Sequence, residues 1–382
     1  MTKPPLLRHD QTLFRDIDVF DPTYLPLHLA HRDAQTRELA YLIDPALQGG
    51  TPGNAILRGP PGTGKTTTVR TVFAEVEKTT GKVVPVYVNC RQNHTLLAVY
   101  RCIAGHLLGY TPRSRHLDDI REGIAARLVE TGAILLVCLD DANYLVAADT
   151  YNILLYQLLR LYERWDVRGA GVFAVTSDLR LNLYTEADGP VRSVFHPHEV
   201  TFLPYATTEI REILGERVRQ GLYPGVVPTG VLDLIARMTA DAGDIRVGID
   251  LVRAAAIRAE GEGRRRVSRG DVTAASSVPG SPVLAARAAA LSEGERALLY
   301  RIAEQSLSGG GMMAGAVFEE AQDYLAIGKT TYHARLRRLA DAGIVDLLPT
   351  RRGHEVFLRY APGEVFAICA EQVEAPGNFN DS

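Results

Sequence analysis

Short apolar runs alternate with helical patterns over the first half of the chain. Five runs have the length and composition of buried strands, at positions 54–58, 83–88, 134–139, 171–176 and 200–203. Between them, apolar residues recur with the period of a helix, at 66–78, 96–108, 117–130 and 151–164. Because strands that alternate with helices form parallel sheets, this half predicts a five-stranded parallel sheet covered by helices on both faces.

The second half has a different pattern, because helical segments follow one another at 207–220, 231–240 and 245–259. A stretch rich in Ser, Pro and Gly at 276–282 predicts a linker. Beyond it the pattern predicts helices at 292–305, 314–325 and 330–342, then a strand–turn–strand at 344–349 and 355–360. The predicted layout is an α/β base domain at 1–205, a helical lid at 206–278, a separate module at 284–373 and a disordered tail at 374–382.

Composition limits the choice of partners. The 382 residues leave room for two or three domains, and the net charge of −3 means that any nucleic-acid surface must be a local patch. Lysine stands at only five positions, so arginine supplies most of the cations. Phosphate binding and a GC-rich genome both produce this bias.

Cysteine usage and hydropathy indicate a reducing compartment. The four cysteines lie far apart and form no CxxC pair, which argues against a disulfide framework or a zinc site. The first residues lack the apolar core of a signal peptide, and no apolar run is long enough to cross a bilayer. The expected location is the cytoplasm, in association with the nucleoid and not with a membrane.

The sequence GPPGTGKT at 59–66 fits the pattern GxxxxGK[ST] and lies between a predicted strand and a predicted helix. Glycines let backbone N–H groups close around phosphate oxygens, and the helix N-terminus favours negative charge. Lys65 is expected to reach the β- and γ-phosphates and Thr66 to bind Mg²⁺. The motif predicts ATP or ADP with Mg²⁺ as cofactors, bound by Gly62, Thr63, Gly64, Lys65 and Thr66.

Two aspartates end the third apolar run. Asp140 is placed to hold the Mg²⁺ shell beside the phosphate loop, as in a Walker B motif. Asp141 has two possible roles: it orients or deprotonates the attacking water, or it caps the loop before Tyr144.

Taken together, these motifs resemble the AAA+ ATPases and, within them, the archaeal origin-recognition initiators, relatives of the eukaryotic origin recognition complex. Seven further phrases resemble that family in the expected order: FDPTYLP at 20–26, HRD at 31–33, PGN at 52–54, VNCR at 88–91, VRS at 191–193, FLPY at 202–205 and GDIR at 243–246. With the C-terminal pattern, the resemblance extends over nearly the whole chain.

The resemblance implies further contacts with the nucleotide. Tyr205 matches the hinge tyrosine that the family places against the nucleotide, and Arg217 follows on the first lid helix as a second contact. Arg246 matches sensor 2, a lid arginine that would touch the γ-phosphate. Without the family match, a buried aromatic residue and helix-surface arginines are the alternatives for these positions.

Several positions depart from the family pattern. Asp141 stands where glutamate is common, and Ser177 stands at the sensor 1 position, where asparagine is usual. Pro190 and Val194 replace arginines of relatives, although Arg192 remains available to act between subunits. These departures predict a weak ATPase in which ATP acts as a switch and hydrolysis is slow.

The C-terminal pattern predicts a winged-helix domain that binds double-stranded DNA. Tyr332, Leu336 and Leu339 would form the buried face of its recognition helix. The predicted DNA contacts on that helix are Lys329, Thr330, Thr331, His333, Arg335 and Arg338. The predicted wing tip carries Arg351 and Arg352. Winged helices also act as protein docking modules, which is the alternative.

A second DNA contact is expected between the two helices that follow the second strand. The basic loop at 110–116 carries Arg113 and Arg115, and the initiator family has a DNA-binding helical insertion here. An ordinary solvated loop between packing helices is the alternative. For the arginine run at 264–266, phosphate contacts and a solvated charge run both stay open.

The first functional hypothesis is therefore a replication initiator. It would bind origin double-stranded DNA with ATP, self-associate there, and help to load the replicative MCM-type helicase. The second hypothesis is an AAA+ ATPase that regulates transcription or transposition through its winged helix. A small-molecule kinase is disfavoured because no acceptor site is visible, and a peptidase because the chain has neither HExxH nor GxSxG.

Overall fold

The computed structural model describes residues 12–21, 23–26, 29–276, 282–308, 312–350, 353–360 and 362–373. The chain divides into two compact units, Met1–Ala275 and Ser276–Ser382. The division falls at the start of the predicted linker, most of which lies outside the described residues. The predicted tail at 374–382 also lies outside them.

The first unit contains the predicted five-stranded parallel sheet. Its strands are β1 (Asn54–Arg58), β2 (Val83–Asn89), β3 (Ile134–Asp140), β4 (Ala170–Thr176) and β5 (Pro197–Thr201). They are arranged in the order β2-β3-β4-β1-β5, and all neighbouring pairs are parallel. Every residue of β3 and β4 is buried, which is why these strands are continuous apolar runs in the sequence.

The fifth strand was predicted at 200–203 and begins three residues earlier, at Pro197. β5 is an edge strand beside β1, and most of its side chains reach solvent, so it carries no continuous apolar run. Phe202 is buried but follows the strand, where its N–H donates to the carbonyl of Arg58. The predicted strand therefore lay too far toward the C-terminus, because the buried apolar residue Phe202 follows the strand.

Eight helices accompany the strands among the described residues of the base. They are α1 (Asp33–Leu47), α2 (Lys65–Thr79), α3 (Leu96–Leu108), α4 (Leu117–Thr131), α5 (Asn143–Ala147), α6 (Tyr151–Leu159), α7 (Leu183–Glu186) and α8 (Gly189–Arg192). Helix α1 was not predicted, because it buries only Leu39, Ile43 and Ala46 and contains Pro45. The helix predicted at 151–164 ends at Leu159, and a short 3-10 helix follows at Leu161–Glu163.

The lid comprises α9 (Thr207–Gly221), α10 (Thr229–Ala242), α11 (Ile245–Gly261) and α12 (Arg269–Ser276), of which α12 was not predicted. Its core also includes residues from the beginning of the chain, namely Leu13, Phe14, Val19 and Phe20. Phe14 forms a β-bridge with Leu222. The predicted base at 1–205 therefore needs a correction: apolar side chains at the start of the chain pack with the lid.

The second unit is mainly helical. Its elements are α13 (Pro282–Ala289), α14 (Glu293–Ser308), α15 (Ala314–Leu325), α16 (Lys329–Asp341), β6 (Val345–Thr350), β7 (Gly353–Leu358) and α17 (Pro362–Val373). Strands β6 and β7 form an antiparallel pair. Tyr332, Leu336 and Leu339 are buried in the core of this unit, as predicted. Helices α13 and α17 were not predicted. Nowhere in the described part of the chain is a helix both long and apolar enough to cross a membrane.

Candidate functional site

The phosphate loop requires glycine at two positions. Gly62 and Gly64 have φ angles of 71° and 89°, in the left-handed region that favours glycine. A Cβ atom at Gly64 would lie 2.6 Å from the hydroxyl of Tyr205, and one at Gly62 would overlap the carboxylate of Asp244. The loop therefore passes close to the hinge and the lid, and side chains would obstruct that approach.

Lys65 lies in the first turn of α2 and is buried. Its ammonium donates to the carbonyls of Gly59 and Pro60, both at 2.7 Å. Burial lowers the pKa of Lys65 to about 8, and the negative charges of Asp140 and Asp141 oppose this shift. An anionic phosphate at the loop would favour the charged ammonium in the same way. The loop thus fits the phosphate group of a nucleotide.

Thr66 and Asp140 meet as the motifs predict. The hydroxyl of Thr66 donates to Oδ2 of Asp140 at 2.8 Å, and the backbone N–H of Asp141 donates to Oδ1 at 3.2 Å. A hydroxyl and a carboxylate beside a phosphate loop form the oxygen donor set that suits Mg²⁺. The residues present therefore fit a magnesium ion.

Tyr87 is a contact of Asp140 that sequence reasoning missed. Its phenolic hydroxyl donates to Oδ2 of Asp140 at 2.6 Å. Strands β2 and β3 pair in parallel, with Tyr87 opposite Cys138 and Asn89 opposite Asp140. The alternation of side chains along a strand, applied to β2, is the sequence signal that could have found it.

Asp141 adopts φ 55°, a left-handed conformation that aspartate tolerates better than most residues. Burial raises its pKa to about 6, the charge of Asp140 adds to the shift, and Arg91, Lys65 and Arg246 oppose it. No side chain caps α5, whose N-cap is Ala142, but the backbone N–H of Tyr144 donates to the carbonyl of Asp141 at 3.1 Å, so the capping alternative stays open. The role of Asp141 toward water stays a prediction.

Arg32 joins the phosphate loop to the hinge. This buried side chain donates from Nε to the carbonyl of Thr63 at 2.9 Å and from Nη2 to the carbonyl of Leu203 at 2.8 Å. Its guanidinium lies 3.7 Å from the ring centroid of Tyr205. Sequence reasoning gave Arg32 no role, although it stands in the phrase HRD that resembles the initiators.

A cavity of about 360 Å³ lies beside the loop. Its walls come from the start of the chain, from α2 and its cap, from the hinge and from the lid. The residues that matter most are Phe20, Asp21, Tyr24, Gly64, Thr67, Tyr205, Arg217, Arg246 and Asp250. The structure thus brings together the three residues assigned to the nucleotide from the resemblance.

The two lid arginines are held by different partners. Arg217 lies 4.4 Å from the ring centroid of Tyr24 and donates to the carbonyl of Val19 at 3.0 Å, and burial lowers its pKa. Arg246 pairs with Asp244 through Nε, at 3.0 Å from each carboxylate oxygen. Since Asp244 lies against Gly62, this pair lies where the lid meets the phosphate loop. Contact of either arginine with nucleotide stays a prediction.

Ser177 and Arg192 also stay predictions. Ser177 follows β4, which lies between β3 and β1, so it is at the same sheet edge as Asp140 and the phosphate loop. Arg192 ends α8 and is exposed, and its Nε donates to the carbonyl of Ala187 at 2.6 Å.

The predicted DNA contacts on helix α16 differ in their exposure to solvent. Lys329, Thr330, Thr331 and His333 are exposed. Arg335 needs a correction: it is half-buried, and its guanidinium packs over Gly294 of α14 instead of facing away from the core. Helical geometry explains this, because a residue three positions after Tyr332 lies on the flank of the buried face.

Two neighbours of Arg335 modify the predicted surface further. Arg338 is exposed but pairs with Glu295 of α14, at 3.4 Å from Nε to Oε1. Arg337 was not predicted, yet it is exposed and lies on the side of α16 opposite the buried residues. A helical wheel centred on the buried face would have found it. Arg351 and Arg352 lie outside the described residues.

The remaining basic segments lie in the first unit. Arg113 and Arg115 are exposed in the loop between α3 and α4, as the predicted DNA contact requires. Arg264 does not belong to a solvated run, because it forms two hydrogen bonds of 2.5 Å with the buried carboxylate of Asp271. Arg265 and Arg266 are exposed.

Comparison with known proteins identifies the two parts of the first unit. Residues 28–168 match the model of the AAA ATPase domain, and residues 211–277 match that of the Cdc6 AAA+ ATPase-type lid domain. The sheet, the phosphate loop and the lid thus define an ATPase of the AAA+ class.

The wider comparisons cover nearly the whole chain. ORC1-type DNA replication protein 6 of Halobacterium salinarum is 38% identical over 343 residues, which are 89% of this chain and 90% of that protein. The chain therefore belongs to the family of ORC1-type DNA replication proteins. The Aeropyrum pernix ORC1 protein in complex with DNA has a TM-score of 0.70 and 27% identity, covering 96% of this chain and 98% of that one. The Aeropyrum pernix ORC2 protein, in ADPNP-ADP complexes, has a TM-score of 0.62 and 27% identity, covering 95% and 99%.

Proposed function

We propose that this protein is an ATP-dependent initiator of DNA replication that binds double-stranded origin DNA. The observation that carries the proposal is the similarity to ORC1-type DNA replication proteins over 89% of this chain, together with the likeness to an ORC1 protein in complex with DNA. Self-association at the origin and loading of the MCM-type replicative helicase belong to the same proposal.

The second unit would be the DNA-binding domain. Helices α14, α15 and α16 followed by the β6–β7 hairpin have the element order of a winged helix, with α16 as the recognition helix. Lys329, Thr330, Thr331, His333 and Arg337 are exposed on α16 and can reach a groove or a phosphate. Arg335 would first need to leave its contact with Gly294, whereas Arg338 is exposed but paired with Glu295. The exposed Arg113 and Arg115 would give a second contact from the first unit.

The first unit would bind ATP with Mg²⁺. Lys65 would hold the terminal phosphates, Thr66 and Asp140 the magnesium shell, and Tyr205, Arg217 and Arg246 the rest of the nucleotide. A bound magnesium ion would neutralise part of the negative charge of the phosphates. Asp141 has a shorter side chain than glutamate and Ser177 replaces asparagine, so hydrolysis would be slow and ATP would act as a switch.

Footprinting on genomic fragments, with and without ATP and at several salt concentrations, tests this proposal. We expect protection at one or a few discrete intergenic sites, strengthened by ATP and weakened as salt rises. Binding at many promoters would favour the alternative of a transcriptional regulator. A purified chain that binds no adenine nucleotide, even with duplex present, would contradict the proposal.

A further inference from the structure

The carboxylate of Asp140 is held by a residue that belongs to neither nucleotide motif. Tyr87 of β2 donates its hydroxyl to Oδ2 at 2.6 Å, a shorter distance than the 2.8 Å of the bond from Thr66 to the same oxygen. The other oxygen, Oδ1, accepts the backbone N–H of Asp141. Asp140 is therefore oriented by one side chain from the phosphate loop and one from the neighbouring strand.

The sheet explains why this tyrosine reaches the carboxylate. Tyr87 stands opposite Cys138 in the parallel register, and Asp140 lies two residues further along β3. Side chains two positions apart on a strand share a face, so Tyr87 and Asp140 both face α2. A phenol extended along that face spans one repeat of the strand, whereas a shorter hydroxyl side chain would not.

The surroundings of Tyr87 keep it in place as a donor. Its ring packs against the core between the sheet and α2, and the guanidinium of Arg70 lies 5.6 Å from the ring centroid. These contacts hold the ring so that its hydroxyl donates to Asp140.

Thr66 alone could not hold Asp140 in the same way when the site is in use. Its hydroxyl oxygen is the predicted magnesium ligand, so its orientation would depend on the metal. Tyr87 is not a predicted magnesium ligand, so its bond to Asp140 would not depend on the metal in this way. Partners that orient the oxygens around a metal contribute strongly to metal affinity, although they do not touch the metal themselves.

We propose that Tyr87 is the positioning residue for magnesium in this protein: its hydroxyl fixes Asp140 in the orientation that receives the Mg²⁺ shell of the bound nucleotide. The inference rests on the proposed binding of ATP with Mg²⁺. It separates nucleotide binding from metal binding, because the hydroxyl of Tyr87 donates to the proposed magnesium ligand Asp140.

The test is the variant Tyr87→Phe, which removes the hydroxyl and keeps the ring. Binding of a fluorescent ATP analogue is measured first with EDTA and then during a titration with Mg²⁺. The paramagnetic resonance of Mn²⁺ reports metal binding directly. We expect metal-free affinity to change by less than about twofold, while the Mg²⁺ concentration at half-saturation rises about tenfold or more.

Tyr151→Phe is the matched control. Tyr151 is also buried in the first unit and donates its hydroxyl to the carbonyl of Leu183 at 3.1 Å, away from Asp140. This control should leave the magnesium midpoint unchanged. An equal shift in both variants would overturn the inference, because it would reflect general loosening of the fold.

A double-mutant cycle with Asp140→Asn gives a second readout. If Tyr87 acts through Asp140, adding Tyr87→Phe to Asp140→Asn should shift the magnesium midpoint by less than about twofold. An unchanged midpoint in the single variant Tyr87→Phe, with ATP binding intact, would overturn the inference and leave the proposed function standing. A wild-type chain that binds neither ATP nor Mg²⁺ would contradict both the inference and the proposed function.

Discussion

The nucleotide site and helix α16 both depend on cationic side chains, but they hold these side chains in opposite ways. Lys65 is buried and donates to two backbone carbonyls of its own loop. On α16, Lys329 and Arg337 are exposed. Arg335 packs over Gly294 of α14, and Arg338 forms an ion pair with α14. A buried cation has one geometry that the local backbone imposes, whereas an exposed cation has many. Residue types therefore predict the placement of side chains far better at the nucleotide site than on α16.

The arginines fall into two groups, those with hydrogen-bond partners inside the fold and those exposed on the surface. Arg32 and Arg264 are occupied by carbonyls and by a buried carboxylate, respectively, and their roles are structural. Arg113, Arg115 and Arg337 are exposed and available to a charged partner.

The largest effect is expected at Lys65. Lys65→Ala should weaken ATP binding about a thousandfold, because it removes the charge-assisted bonds to the terminal phosphates. Calorimetry with ATP and Mg²⁺ measures this loss. Lys78→Ala, at an exposed position on the same helix, is the control and should bind ATP normally. Comparable affinity in the two variants would remove Lys65 from the site.

Arg32 should give the next largest effect, on stability. Arg32→Ala leaves the carbonyls of Thr63 and Leu203 without their donor and removes the stack on Tyr205, so we expect about 3 kcal/mol less stability. Urea denaturation followed by circular dichroism checks this. Arg37→Ala, at an exposed position of helix α1, which begins directly after Arg32, should cost less than about 0.5 kcal/mol. Equal midpoints for the two variants would show that Arg32 does not tie the loop to the hinge.

Asp271 should make stability depend on pH. Its hydrogen bonds with Arg264, and further ones with Ser268, hold the pKa of the Asp271 carboxyl well below its usual range. The resulting stability is present above the unfolded-state pKa of about 3.9 and is lost as pH falls through the folded pKa. Asp271→Asn should therefore unfold more easily at pH 7, and its difference from wild type should shrink below about pH 4. Thermal melts across this range measure it, with the exposed Asp241→Asn as control; a difference that does not vary with pH would rule out the charge.

The smallest effect separates two arginines of one helix. Arg337→Ala should weaken duplex binding by about 1 kcal/mol and lower the salt slope by about one, because an exposed cation is lost from the proposed DNA-binding surface. Arg335→Ala removes the contact with Gly294 and should mainly affect folding. Fluorescence anisotropy over a salt series distinguishes them. A larger change in salt slope for Arg335→Ala than for Arg337→Ala would indicate that Arg335 contacts DNA.

The sequence predicted best where backbone geometry dictates residue type. The phosphate loop, the aspartate at the end of β3 and four of the five strands lie where the patterns put them, because buried strands and glycine turns allow few alternatives. The edge strand β5 and helices α1, α13 and α17 were misplaced or missed, because short or half-exposed elements carry weak periodicity. Tyr87 and Arg32 were missed for a different reason: their partners lie on other elements, and only tertiary pairing brings them together.

The start of the chain packs with the lid and lines the cavity beside the phosphate loop through Phe20, Asp21 and Tyr24. A nucleotide held there would be enclosed by segments from opposite ends of the first unit. Its release would break contacts with both segments, so these contacts would act mainly on the dissociation rate. This arrangement would therefore lengthen the residence time of the bound nucleotide, and the protein would exchange ATP or ADP slowly.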